Sequence, residues 1–223
     1  MALRKDIITS AIAILVFTLL CGILYPLVIT GVSQVAFPGN ANGQQIHLGG
    51  KLVGSKLIGQ QFADPVIDRK TGKPKLDSDG NPVTVADPRY FQSRPSATVP
   101  PYNGAASTFS NLGPNSVATE QEIASNIKAY LALEKRYDPG LTVARIPVDA
   151  ANSSASGIDP DISVANADIQ AHRIAEVRQL SLTRVDRMIS TYTGGRGLGF
   201  SGEPTVNVLE LNLALNRVSK GTR

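Results

Sequence analysis

Between residues 7 and 50 the chain carries no Lys, Arg, Asp or Glu, and residues 7–29 are almost wholly apolar. An α-helix rises about 1.5 Å per residue and the hydrocarbon core of a bilayer is roughly 30 Å thick, so about 20 apolar residues cross it. This run supplies one membrane span with little to spare. Downstream, mixed charge and turn residues prevail, and no second run of that length follows. The expected fold is α+β: a single N-terminal transmembrane helix within residues 1–36, with a short cytoplasmic N-terminus, followed by one soluble extracytoplasmic domain over residues 37–223.

Arg4 and Lys5 precede the span, and no Lys or Arg follows it until Lys51. The positive-inside rule keeps the N-terminus in the cytoplasm and sends the domain out, as a single-pass protein of the cell (inner) membrane. A cleaved signal peptide shares the pattern of basic residues before an apolar run. Its apolar core is usually only about 7 to 15 residues, however, and ends at an A-x-A-like site, for which Gly31-Val32-Ser33 is a poor substitute. A lipidated Cys21 is disfavoured by the bulky Leu19-Leu20 before it. Cys21 is also the only cysteine, so no internal disulfide can form.

Ser10, Ile14, Thr18, Cys21 and Tyr25 recur at spacings of four and three, with Gly22 beside them. Small and weakly polar residues on one face let a second helix approach closely. Ser10, Thr18, Cys21, Gly22 and Tyr25 are therefore the expected contacts with a partner's span. Pro26 removes one backbone donor near the outer end, and Gly22, four residues earlier, leaves room for its ring.

About 185 residues remain beyond the span, enough for one domain with its own core. The chain has 22 basic and 18 acidic residues, a net charge of +4, and no block of like charge. Nucleic acid is excluded as a partner class, since phosphate binding needs a basic stripe. Residues 44–62 read as short extended segments punctuated by glycine. Residues 64–88 read as a polar hairpin insertion turning at Asp77-Ser78-Asp79-Gly80-Asn81. Residues 94–116 form a long irregular Pro/Ser/Asn segment.

Helices follow. Thr119-x-x-Glu122 is a capping-box pattern ahead of Ile123, Ile127, Tyr130, Leu131 and Tyr137, and Pro139-Gly140 stops that helix. Ser163 can cap a helix that buries Val164, Ala167, Ala171 and Ile174. Ser181 can cap another that buries Leu182, Val185, Ile189 and Tyr192, closed by Gly194-Gly195. Asn207-x-x-Glu210 opens a last helix with Val208, Leu211, Leu215 and Val218 on one face.

No catalytic constellation emerges. Gly197-Leu198-Gly199-Phe200-Ser201-Gly202 satisfies G-x-G-x-x-G, yet a dinucleotide loop follows a strand and opens a helix, and here a helix precedes and Glu203-Pro204 follows. Asp77-x-Asp79-Gly80 lacks the spacing and closing Glu of a calcium loop. His47 and His172 have no neighbouring His or Cys, so no metal site is expected. Ser153, Ser154 and Ser156 lack a nucleophile elbow.

Scattered motifs point to a family. Tyr25-Pro26-Leu27, Phe37-Pro38 with Ala41-Asn42-Gly43, and Gly54-Ser55 leading to Leu57-Ile58-Gly59-Gln60 and Phe62 come first. Tyr90-Phe91, Arg94-Pro95-Ser96-Ala97, Pro101-Tyr102-Asn103 and Ser110-Asn111-Leu112 follow. Ala155-Ser156-Gly157-Ile158-Asp159 and Asn207-Val208 through Glu210-Leu211-Asn212-Leu213-Ala214-Leu215 complete the set. In this order, from the span to the last helix, the chain resembles the C subunit of the Kdp potassium-transporting P-type ATPase. It departs from the family in having no tryptophan around Phe37-Pro38, Asn152-Ser153 where Thr-Ala is common, and a longer charged hairpin.

The resemblance implies a non-catalytic accessory subunit of a potassium-transport complex. Its partners would be a channel-like potassium-binding subunit, an ATP-hydrolysing P-type subunit and a small single-span subunit. It also implies a catalytic chaperone that raises the pump subunit's ATP affinity, with no firmly bound cofactor and ATP reached through the complex. Leu57-Ile58-Gly59-Gln60 looks like the end of an LSGGQ signature, making Gln60 the one implied nucleotide contact. A domain outside the membrane cannot reach cytoplasmic ATP, so coupling would run through the partners. On that reading the polar loops supply the contacts, with Arg94, Tyr102, Asn103, Asn111, Ser156 and Asp159 as the expected partner-facing residues. A membrane-anchored extracytoplasmic hydrolase and a ligand-binding module remain the alternatives.

Overall fold

The computed structural model describes residues 2–220; Met1 and residues 221–223, and with them the outer limits of the 1–36 and 37–223 division, lie outside the described residues. The described residues divide into two compact units, one up to Ser55 and the other from Lys56 onward.

In the first unit the apolar run is helical throughout. α1 (Ala2–Phe17) passes into a π-helical stretch, Thr18–Leu24, and then into α2 (Tyr25–Ala36). Leu3–Ala36 is long and apolar enough to cross a membrane. The Tyr25 N–H donates to Leu20 O, five residues back. The wide turn lies directly ahead of Pro26, which has no N–H and whose ring would crowd the carbonyl four residues earlier. Of the expected contacts with a partner's span, Ser10 lies in α1, Thr18, Cys21 and Gly22 lie in the π-helical stretch, and Tyr25 opens α2. A Cβ on Gly22 would meet only Thr18 Cγ2, at 3.9 Å.

A single turn, α3 (Pro38–Ala41), leads to β1 (Gln45–Leu48) and β2 (Lys51–Ser55), paired antiparallel with Leu48 opposite Lys51. Gly49 and Gly50, at φ 58° and 78°, make the two-residue connection whose twist suits a hairpin. These strands belong to the unit that holds the span.

The second unit opens with β3 (Ala63–Pro65) and β4 (Thr84–Ala86), antiparallel with Ala63 opposite Ala86. Asp77 Oδ1 accepts the N–H of Asp79 and of Asn81, both at 2.9 Å, in the turn between them. α4 (Val117–Glu134) starts before the expected Thr119 cap. Ser116 lies in extended backbone and its Oγ accepts Thr119 N–H at 3.1 Å, so Ser116 holds the cap and Thr119 lies inside the first turn, donating to Gly113 O.

Next come α5 (Val148–Ala151), β5 (Asp161–Ser163), α6 (Val164–Arg178) and α7 (Leu182–Thr191). Ser163 and Ser181 cap α6 and α7 through Asn166 N–H and Arg184 N–H. Tyr192 ends α7, where Gly194-Gly195 was expected. Gly194 belongs instead to β6 (Thr193–Gly194), which pairs antiparallel with β7 (Thr205–Asn207) at the edge of the β5-β7-β6 sheet. Asn207 Oδ1 caps α8 (Val208–Lys220) through Glu210 N–H, whereas the Glu210 carboxylate reaches Lys56 Nζ at 2.6 Å rather than closing the box.

The antiparallel sheet β5-β7-β6 packs with α6, α7 and α8 around Ile162, Ala167, Ala171, Ile174, Val185, Ile189, Val206, Val208, Leu211 and Leu215. Phe91, from an irregular loop, is fully buried among them. α4 contributes differently: its one fully buried residue is Glu134.

Candidate functional site

Three irregular segments, residues 57–61, 91–108 and 152–161, interlock in the second unit and gather the motifs singled out in the sequence. Arg94 Nη1 pairs with Asp159 Oδ2 at 3.0 Å, and its Nη2 donates to Ser153 O at 3.1 Å. Its Nε is shielded and has no acceptor among the described residues. The Tyr102 hydroxyl donates to Arg94 O, and Tyr102 N–H donates to Ser96 Oγ at 3.0 Å. These bonds hold Tyr102 at φ 61°, where a residue with a Cβ is strained. Burial pushes the Tyr102 hydroxyl up to about 12, so it stays protonated and donating.

Gly59 is the seat of this junction. Its N–H donates to Ile158 O at 2.8 Å, and a Cβ there would lie 2.6 Å from Asp159 O and 2.8 Å from the Tyr102 ring. Gly157, at φ 70°, is equally enclosed, since its Cβ would fall 2.5 Å from Thr108 O. Ser96 Oγ donates to Gly157 O, while Ser107 Oγ and Thr108 N–H both donate to Ser156 O. Hence the Leu57-Ile58-Gly59-Gln60, Arg94-Pro95-Ser96-Ala97 and Ala155-Ser156-Gly157-Ile158-Asp159 segments are one structural object.

The structure brings Arg94, Tyr102 and Asp159 into direct contact. Asn103 and Ser156 lie at the edge: Asn103 Oδ1 caps the short turn at Ala105, and the Ser156 hydroxyl accepts Ile158 N–H at 3.3 Å. Asn111 stands apart, exposed at φ 57° with Nδ2 on Phe109 O. Gln60 is half-buried, and its carbonyl accepts from Ser93 Oγ at 3.1 Å. The expectation that Arg94 and Asp159 offer open polar groups is thus corrected. Each finds its charge partner inside the chain, because the loops cross where the sequence places them far apart. Beside the junction lies an open groove of about 630 Å³, lined by Arg94, Pro95, Tyr102, Val85, Tyr130 and Leu133 among others.

A second polar cluster escaped the sequence reading. Arg173 of α6 is fully buried, with Nε 2.9 and 3.1 Å from the two Glu134 carboxylate oxygens. Its Nη1 donates to Pro88 O and Tyr90 O, and its Nη2 to Gln170 Oε1. Gln170 exchanges hydrogen bonds with the backbone of Gln92, and Asn212 does the same with Phe91. Burial pushes the Glu134 carboxyl up, against the pull of Arg173. Together these side chains pin the loop at 88–92, just before the junction, to α4, α6 and α8. The available signal was polar Gln170 and Arg173 interleaved with Ala167, Ala171 and Ile174 on one helix face. Among the described residues no group of three or more His, Cys, Asp and Glu is placed to hold a metal ion.

Residues 7–217 match the family model described as "KdpC: K+-transporting ATPase, c chain". The chain is 44% identical over 208 residues to a potassium-transporting ATPase KdpC subunit of Methylococcus capsulatus, covering 93% of this chain and 95% of that one. It is 41% identical over 216 residues to the like-named subunit of Mycobacterium tuberculosis, covering 97% and 100%. The corresponding figures for the Ralstonia nicotianae subunit are 44% over 214 residues, covering 95% and 91%.

Proposed function

Because the chain belongs to the family of K+-transporting ATPase c chains, we propose that it is the non-catalytic, single-span accessory subunit of an ATP-driven potassium uptake complex. Its partners are a channel-like potassium-binding subunit, an ATP-hydrolysing P-type subunit and a small single-span subunit. The N-terminus lies in the cytoplasm and the folded domain outside the cell (inner) membrane; Arg4 and Lys5 before the span, with no further cation until Lys51, support that orientation. The observation that carries the reading is the match over residues 7–217, which takes in the span, the loop junction and the last helix together. It leaves the hydrolase and ligand-module alternatives without support.

Within the complex the domain stabilises assembly and raises the pump subunit's ATP affinity through a linked equilibrium rather than by touching nucleotide. Gly59 packed against Asp159 O and the Tyr102 ring supports this, since the Leu57-Ile58-Gly59-Gln60 segment is occupied by its own chain. Gln60→Ala is expected to leave the ATP affinity of the intact complex within about twofold, whereas omitting the chain lowers it. Saturable ATP binding by the full chain alone, abolished by Gln60→Ala, refutes the indirect mechanism.

A further inference from the structure

The turn joining β6 to β7 takes no part in the junction, yet it carries Leu198, at 90% the most exposed large apolar side chain among the described residues, and Phe200 at 75%. It is not a slack loop. Gly197 and Ser201 exchange two backbone hydrogen bonds of 2.8 Å, Gly199 N–H donates to Arg196 O, and Phe200 N–H donates to Gly197 O. Arg196 and Glu203 close its base with a 2.7 Å ion pair, and β6 and β7 fasten it to the core through buried Val206. Leu198 sits at φ 52°, a backbone state that side-chain-bearing residues rarely adopt. A strained, hydrogen-bonded turn that holds two large apolar groups in water is the opposite of what stability alone selects.

We propose that this turn is a docking knob whose Leu198 and Phe200 side chains enter an apolar pocket on another subunit of the same transport complex. The inference rests on the reading of the chain as such a subunit. The charge pattern favours a protein pocket over a lipid surface. Membrane-surface fingers pair aromatic and apolar groups with an excess of Lys and Arg that meets anionic headgroups. Here Arg196 and Glu203 neutralise each other at the base, and Gly197, Gly199, Ser201 and Gly202 are small and uncharged. A neutral rim around large apolar anchors is how the centre of a protein interface is built.

The test uses the full chain co-expressed with its complex. Truncating central anchors of an interface commonly weakens binding by about thirtyfold or more. The Leu198→Ser/Phe200→Ser variant is therefore expected to retain at least tenfold less of the other subunits in mild detergent, with its own unfolding midpoint unchanged. A photoreactive phenylalanine analogue in place of Phe200 is expected to cross-link to a different subunit in native membranes. That outcome stands even if the double variant misfolds. Equal retention by a folded double variant overturns the inference, as do cross-links only to lipid, only to a second copy of this chain, or to nothing. If the parent chain itself retains no transport subunit, the functional reading falls, and the knob with it.

Discussion

Arg173→Met removes the donor from a fully enclosed pair and leaves Glu134, 1% exposed, without its cation. Deleting one member of a buried pair typically costs about 3–5 kcal/mol. Pro88 O loses its side-chain donor, and Tyr90 O and Gln170 Oε1 each keep only the bond from Gln92, so the upper end of that range is expected. Against a total of roughly 5–15 kcal/mol for a domain, this removes a large share of the stability. Replacing both members, as Arg173→Met with Glu134→Leu, restores apolar packing without an orphaned charge and should recover about half or more of the loss.

The single variant should also show a stronger pH signature than the parent, because the opposing pull of Arg173 is gone. Burial holds the folded-state carboxyl above its unfolded value, so the fold is best supported below the unfolded pKa of about 4.3 and loses stability as pH rises through the folded one. Urea unfolding of the full chain in mild detergent, followed between pH 4 and 8, reads both effects. A single variant within about 1 kcal/mol of the parent at pH 7, or a double variant no more stable than the single, refutes the reasoning.

Gly59→Ala forces a methyl to within 2.6 Å of Asp159 O and should cost about 2–4 kcal/mol, read as a lowered unfolding midpoint; a cost under about 0.5 kcal/mol would show that the junction yields freely. Asp87 accepts Arg89 N–H and the Arg89 guanidinium, and the guanidinium holds its carboxyl below the usual range. Its stabilisation is therefore present above about pH 4 and lost as pH falls through the depressed value, so the penalty of Asp87→Asn, about 1–2 kcal/mol at pH 7, should vanish in acid. A pH-independent penalty contradicts the assignment. Residues 66–83 contain no buried side chain, so replacing them with a short Gly-Ser turn that keeps β3 and β4 paired should leave the unfolding midpoint within about 0.5 kcal/mol; loss of a cooperative transition would place the hairpin in the core.

Local pattern was enough for much of what near neighbours in the chain govern, though not for the start of α4 at Ser116 or the end of α7 at Tyr192. The span could be read because no charge interrupts residues 7–50, and the caps at Ser163, Ser181 and Asn207 because a side-chain oxygen serves an N–H two or three residues on. The apolar faces of α6 and α8, and Val185 and Ile189 of α7, followed from helical spacing, whereas Leu182, also expected inside, is exposed. Tertiary structure decided the rest. Nothing local tells Arg94 that Asp159 lies 3.0 Å away, or Arg173 that Glu134 will neutralise it, so the first pair looked open and the second went unnoticed. The π turn ahead of Pro26 is not visible to a reading that assumes a uniform 3.6-residue period. Gly59 and Gly157 were legible only as motif letters; their necessity comes from segments that arrive from 43 residues or more away in the chain, Tyr102 against Gly59 and Thr108 against Gly157. Periodicity and capping are short-range physics written in the sequence, whereas charge pairing and close approach depend on which loops the finished core holds together.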